Sequence, residues 1–139
     1  MKAYMDTSVL TGAYCQESGS KQAQRALQDY EPAISSLTRL EFSSSVAKKV
    51  RAGTLGRDEA TRIIAEFQMH IRDGVFELLA IQEAHYALAN DWMDACVTAL
   101  RTLDALHLAL AHSHRLTLIT ADKALAKAGE QLGAKIETL

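Results

Sequence analysis

The stretch LTLITADKALAKAGEQL, residues 116–132, decides the fold class. Its first five residues form a short apolar run of the length expected for a buried strand. Asp122 then opens a helical segment, and Gly133, a residue type that commonly ends helices, follows it. A strand that leads through an acid into a helix is the repeating unit of an α/β protein with a parallel sheet.

The rest of the chain repeats this alternation. The pattern predicts four further strands, at residues 2–5, 33–36, 75–81 and 134–137. It predicts six further helices, at residues 6–14, 21–30, 40–51, 57–72, 83–94 and 104–112. Pro32 is expected to mark the break before the second strand. With no repeat or linker in the sequence, we expect residues 1–139 to form a single α/β domain around a mainly parallel sheet of about five strands.

Composition limits the class of function. The 139 residues include 15 Lys and Arg against 17 Asp and Glu, a formal net charge of −2. This balance argues against a protein that holds nucleic acid by bulk charge, but it allows a nuclease with a local basic rim. Cys15 and Cys96 lack the spacing of a zinc site or a disulfide framework. No segment has the apolar length of a membrane span or signal peptide, so a cytoplasmic protein is expected.

Two acids follow predicted strands and should meet at one edge of the sheet. Asp6 follows the first strand and Asp122 the strand quoted above. In a parallel sheet, strand carboxyl ends gather at the edge where α/β proteins bind ligands. The alternative is that both acids only cap helices. Glu41 has the same alternative, because residues 38–41, TRLE, match the capping-box pattern S/T-x-x-E.

Asp104 favours the functional interpretation of these acids. It lies in LDALHLALA, residues 103–111, a helix that is apolar on almost every side. A lone buried carboxylate is costly unless something compensates its charge, although a position at the helix start would lessen that cost. Converging carboxylates also repel one another, and a divalent cation would restore the balance. Oxygen ligands without cysteine favour Mg²⁺ or Mn²⁺ over zinc.

Four segments carry a resemblance to a known family: residues 5–10 (MDTSVL), 38–41 (TRLE), 103–109 (LDALHLA) and 118–125 (LITADKAL). In this order and spacing the chain resembles the PIN-domain ribonucleases, and within them the VapC toxins of bacterial and archaeal toxin–antitoxin pairs. The resemblance covers essentially the whole chain. It implies a PIN-like α/β/α sandwich and a Mg²⁺- or Mn²⁺-dependent endoribonuclease, the toxin of a type II toxin–antitoxin system. It also implies a homodimer, an RNA substrate and a small VapB-like antitoxin whose tail covers the pocket.

The resemblance assigns roles to individual residues. The metal-site acids of the family correspond to Asp6, Glu41, Asp104 and Asp122. Glu41 would either bind a second metal or act as the general base, and one metal or two remains open. The hydroxyl beside the last acid corresponds to Thr120, and Ser8 is a small polar group beside the first acid.

Basic residues close to these acids are candidates for binding RNA. Arg39, Arg101 and Lys123 each lie within three residues of a site acid, although solvated charge or a salt bridge explains each of them equally well. His107 has ligand-like spacing one turn after Asp104, but its leucine neighbours favour a core histidine with its hydrogen bonds satisfied.

Two rival functions follow from the same residues. A phosphotransfer enzyme could use Asp6 as its nucleophile, but such sites usually place a second Asp two residues later, where this chain has Ser8. A non-catalytic PIN-like module could bind RNA or a protein partner without cleaving it. The four intact acids argue against that module.

Overall fold

The computed structural model describes residues 1–139 as a five-stranded sheet with seven helices. The strands are β1 (Lys2–Met5), β2 (Glu31–Ser35), β3 (Glu77–Leu79), β4 (Thr117–Thr120) and β5 (Ile136–Thr138). The helices are α1 (Thr7–Tyr14), α2 (Ser20–Asp29), α3 (Ser36–Arg51), α4 (Arg57–Arg72), α5 (Glu83–Asp94), α6 (Thr102–Ser113) and α7 (Lys123–Gln131). None of these helices combines the length and apolar character needed to cross a bilayer.

The sheet is parallel throughout, with the strand order β3-β2-β1-β4-β5. The central strand β1 pairs with β2 on one side and with β4 on the other, and Tyr4 lies opposite Ala33 and Leu118. The predicted α/β class and the number of strands are therefore confirmed. The carboxyl ends of β1 and β4 lie side by side, as the crossover rule requires.

Alternation along β1 divides the core into two layers. Ala3 and Met5 face one side and pack with buried residues of α1 to α4, among them Phe42 and Phe67. Tyr4 faces the other side and packs with apolar residues of α5, α6 and α7, among them Leu108. Because successive side chains of a strand point to opposite faces, helices cover both faces, and the protein is an α/β/α sandwich.

The predicted start of α3 and the capping box assigned to Glu41 are wrong. The helix begins at Ser36, four residues before the predicted start. Ser35 ends β2 and also caps α3, since its hydroxyl accepts from the Thr38 N–H while its own N–H donates to Thr38 Oγ1. Thr38 is thus the last residue of the box, at position N3, and not its first. Glu41 lies in the second turn of α3, where capping does not engage its carboxylate.

Pro32 lies inside β2 and does not precede it, which corrects the predicted break. The Glu31 N–H donates to the Met1 carbonyl on the β1 side, so the next backbone nitrogen, that of Pro32, points toward β3. Pairing with β3 begins only at Ala33, so the missing N–H removes no ladder bond. The edge strand β3 is shorter than predicted, with three residues.

The helices α3 and α4 form a hairpin with apolar faces that need cover from other parts of the structure. The sheet covers most of it, since Phe42, Val46 and Phe67 are buried against β1, β2 and β4 residues. Leu40 remains 69% exposed and Met69 44% exposed on its outer side.

Candidate active site

The four predicted acids line one cavity of about 580 Å³ at the carboxyl edge of the sheet. Asp6 directly follows β1, and Asp122 comes two residues after β4. Glu41 reaches the cavity from α3, and Asp104 from the first turn of α6. Four elements far apart in the chain therefore bring these carboxylates to one place.

Asp6 is held on one side only. Its Oδ2 accepts hydrogen bonds from Ser8 Oγ at 2.5 Å, Thr120 Oγ1 at 2.9 Å and the Ser8 N–H at 3.3 Å. The last of these caps α1, so the capping alternative is correct for one oxygen. No donor reaches Oδ1, and that oxygen is free for a ligand in the cavity.

Asp122 divides its two oxygens in the same way. Oδ1 accepts from the Ala124 and Leu125 N–H groups and caps α7. Oδ2 faces Arg101 Nη2 at 3.4 Å. The Asp122 N–H donates to Thr120 Oγ1, which fixes the turn between β4 and α7. Capping therefore uses one oxygen and leaves the other at the cavity.

Burial disfavours the negatively charged form of Asp104. It is the third residue of α6, and its side chain is only 16% exposed. Loss of solvent raises the pKa of Asp104, and the neighbouring carboxylates of Asp6 and Asp122 add to the rise, while Arg101 opposes it. Arg101 Nε contacts Oδ2 at 3.2 Å, and Oδ1 has no protein donor.

Glu41 is held from the protein interior. Its Oε1 accepts from Thr7 Oγ1 at 3.3 Å and contacts His107 Nε2 directly. Its Oε2 has no protein partner. His107 is completely buried with both ring nitrogens in hydrogen bonds, which confirms the prediction of a satisfied core histidine. Its contact with a site acid was not predicted; the only signal was its place one turn after Asp104.

Of the three basic candidates, only Arg101 lines the cavity. It bridges Asp104 and Asp122, and these carboxylates raise the pKa of its guanidinium. Arg39 is exposed and lines a separate groove between α3 and α4. Lys123 is the exposed first residue of α7 and lies outside the cavity lining.

The chemistry of the donor set fits a hard divalent cation. Four carboxylates face one guanidinium, and three of them (Asp6, Glu41 and Asp104) each keep an oxygen without a protein donor. Mg²⁺ and Mn²⁺ prefer carboxylate oxygens of this kind. No three acidic, histidine or cysteine side chains are close enough to form a finished ligand set. The structure thus shows a shared acidic pocket in which side chains would have to adjust around an ion.

Comparison with known proteins extends over the same residues. The PIN domain model matches residues 3–131. The chain is similar to Ribonuclease VapC3 of Pyrobaculum aerophilum, with 29% identity over 128 residues that cover 91% of this chain and 94% of that protein.

Solved structures share the fold. A toxin–antitoxin complex from Klebsiella pneumoniae matches with a TM-score of 0.64 and 24% identity over 90% of this chain and 91% of that chain. VapBC2 from Rickettsia felis, bound to a DNA fragment from their promoter, matches with a TM-score of 0.71 and 14% identity over 100% and 99%. At these identities the structures establish the shared fold. Because the family model spans nearly the whole chain, and the sandwich and its acidic edge agree with it, this chain belongs to the PIN-domain family.

Proposed function

We propose that this chain is a Mg²⁺- or Mn²⁺-dependent endoribonuclease, the toxin of a type II toxin–antitoxin system, and that residues 1–139 form one nuclease domain. One observation carries the proposal. Asp6, Glu41 and Asp104 line one cavity, and in each the protein holds one carboxylate oxygen while the other has no donor. A carboxylate that is oriented through one oxygen and has the other oxygen available is suited to binding a cation. In a purely structural role, we would expect both oxygens to accept hydrogen bonds from the protein.

Asp6, Asp104 and Asp122 would hold the cation, directly or through water, and Glu41 would bind a second ion or accept a proton. When bound, a divalent cation polarises a scissile phosphate and lowers the pKa of a water molecule toward neutrality. The hydroxyls of Ser8 and Thr120 keep Asp6 oriented through its Oδ2. Ligand orientation of this kind commonly decides metal affinity.

The chain's own residues supply the rest of the reaction. Where Glu41 acts as the general base, its Oε2, which has no protein partner, would accept the proton of the attacking water. Arg101 is 77% exposed at the cavity rim, where its guanidinium can pair with a backbone phosphate once the acids are neutralised. Attack by water leaves a 5′-phosphate and a 3′-hydroxyl and does not use the 2′-hydroxyl of the RNA. Arg39 and Lys123 would contact RNA outside the cavity.

The proposal includes partners. The similarity to Ribonuclease VapC3 and to the fold of toxin–antitoxin complexes supports a VapB-like antitoxin as partner. We propose that the tail of this antitoxin covers the acidic pocket. A homodimer is also proposed, and the exposed Leu40 and Met69 on the α3–α4 hairpin are available for such a contact. We also propose a cytoplasmic location, where an RNA substrate would be available.

Cleavage in vitro tests the activity. Purified protein should cut RNA with Mn²⁺ or Mg²⁺ and stop when EDTA is added. Asp6→Asn and Asp104→Asn should each lower the rate by at least a hundredfold, on the order expected for lost catalytic groups. Asp58→Asn, which changes an exposed acid on α4, is the matched control and should cut normally. Binding of RNA without cleavage would favour the non-catalytic module, and a 2′,3′-cyclic phosphate product would contradict the mechanism.

Expression in a bacterium tests the biological role. Induction should arrest growth and create discrete new RNA 5′ ends, which sequencing of total RNA identifies together with the substrate. Asp104→Asn should abolish both effects at equal protein level. Normal growth and an unchanged 5′-end profile on induction of an enzyme active in vitro would contradict the toxin assignment.

A further inference from the structure

A buried line of hydrogen bonds ends at the candidate active site. His107 in α6 has no exposed surface. Its Nδ1 lies 2.8 Å from the Tyr4 hydroxyl, and its Nε2 contacts Glu41 Oε1. The side chain thus connects the interior of the protein to an acid of the cavity.

The far end of this line is fixed. The Tyr4 hydroxyl lies 2.9 Å from Ser35 Oγ and 3.1 Å from Thr38 Oγ1, the two residues that form the capping box of α3. Burial raises the pKa of Tyr4 to about 12, so the phenol stays neutral in the physiological range. The start of α3, the middle of β1 and the centre of α6 are therefore tied to one another through polar contacts inside the core.

Apolar packing alone does not account for this arrangement. His107 is a buried residue of α6, whose leucines belong to the apolar layer of α5, α6 and α7. A leucine at this position would fill similar space without polar atoms that need partners. Each polar group of the line has a partner, and no buried side-chain nitrogen or oxygen of the protein lacks one. The line ends at Glu41 Oε1, while Oε2 of the same carboxylate has no protein partner. Fixing one oxygen of a flexible glutamate fixes the direction of the other.

We propose that His107, supported by Tyr4, is a positioning residue that holds Glu41 Oε1 so that Oε2 faces the reacting groups in the cavity. This proposal rests on the proposed nuclease function. His107 touches neither substrate nor metal, and it acts only through Glu41. It follows that substitution of His107 should affect metal binding and cleavage only when Glu41 is present.

The test compares His107→Leu, which removes both nitrogens, with His107→Gln, which keeps an N–H donor. Mn²⁺ affinity is measured by calorimetry and RNA cleavage by initial rates. We expect His107→Leu to weaken Mn²⁺ binding and slow cleavage by about 10- to 100-fold, the usual effect of losing a partner that orients a ligand. His107→Gln should recover part of both. In a Glu41→Ala background, His107→Leu should leave Mn²⁺ affinity unchanged, because the side chain that His107 positions is already absent.

His85→Leu is the matched control, since His85 is also a buried histidine but hydrogen-bonds to the Gln82 backbone, away from the cavity. It should lower thermal stability and leave Mn²⁺ affinity unchanged. The proposal would be overturned if His107→Leu weakened Mn²⁺ binding equally with and without the Glu41 carboxylate. It would also be overturned if the losses of Mn²⁺ binding and cleavage were fully explained by a smaller fraction of folded protein. If the wild type is active and His107→Leu changes neither Mn²⁺ affinity nor the cleavage rate, only the positioning role is overturned. A wild type that neither binds Mn²⁺ nor cuts RNA overturns the proposed function as well.

Discussion

Thr120 and Asp6, 114 residues apart, are joined by a 2.9 Å hydrogen bond from Thr120 Oγ1 to Asp6 Oδ2. The same hydroxyl oxygen accepts the Asp122 N–H at 3.0 Å. One buried threonine at the end of β4 therefore orients the acid that follows β1 and the turn that carries the acid before α7. The parallel pairing of β1 with β4 makes this contact possible.

Thr120→Val should therefore disturb two acids at once without changing the side-chain volume much. We expect cleavage to fall about tenfold, because Asp6 loses a donor that orients it. The free energy of unfolding should fall by about 1–3 kcal/mol, since the Asp122 N–H loses its acceptor. Initial-rate assays and chemical denaturation measure the two effects. Thr120→Ser keeps the hydroxyl and should recover most of the activity; equal activity of the valine and serine variants would contradict the orienting role.

We expect Arg101 to weaken metal binding and to strengthen RNA binding. It pairs with Asp104 and Asp122, so it would compete with a bound cation for their oxygens. Arg101→Gln is expected to strengthen Mn²⁺ binding severalfold and to raise KM for RNA by about tenfold, because a charge-assisted phosphate contact is lost. Calorimetry and steady-state kinetics report the two effects. Arg62→Gln, an exposed arginine on α4, should change neither. Weaker Mn²⁺ binding by Arg101→Gln would contradict the competition.

The sequence was sufficient to place Asp6 and Asp122 at one edge, because parallel pairing sends strand carboxyl ends the same way. The sequence also identified Asp104 as a candidate site residue, because a carboxylate in so apolar a helical segment is unusual. The start of α3 was missed because Ser35 both ends a strand and caps a helix, so that no loop separates them. The polar residues after Ser35 gave the false impression of such a loop.

Local sequence patterns could not predict which side chains of the site contact one another. His107 and Glu41 are 66 residues apart on α6 and α3, and their contact depends on how both helices pack around β1. Spacing placed Arg39 near a site acid, but α3 turns its side chain toward α4. Arg101, three residues before Asp104 in the sequence, precedes α6 and does reach the cavity. Only the fold distinguishes these two arginines.

Asp104→Asn should separate stability from metal binding. Burial raises the pKa of Asp104, which means that the folded state disfavours its charged form at neutral pH. Without metal, we expect the variant to melt at a temperature equal to or above that of the wild type. Mn²⁺ at about a hundred times its Kd should stabilise the wild type by about 2.7 kcal/mol. It should leave the variant nearly unchanged. Scanning calorimetry with and without Mn²⁺ measures both, and an equal Mn²⁺ shift in the two proteins would contradict a role for Asp104 as a ligand.

His85 should make the fold sensitive to mild acid. Burial, followed by the nearby His114, lowers the pKa of His85 below its ordinary 6.5, and its Nδ1 accepts the Gln82 N–H at the start of α5. Because the folded pKa is depressed, this contribution to stability is fully present above pH 6.5 and is lost as pH falls through the folded pKa. Urea denaturation of the wild type should therefore give a lower free energy of unfolding at pH 5 than at pH 7.5. His85→Gln removes the titrating group and should reduce this pH dependence, so an unchanged difference in the variant would assign the acid sensitivity to other groups.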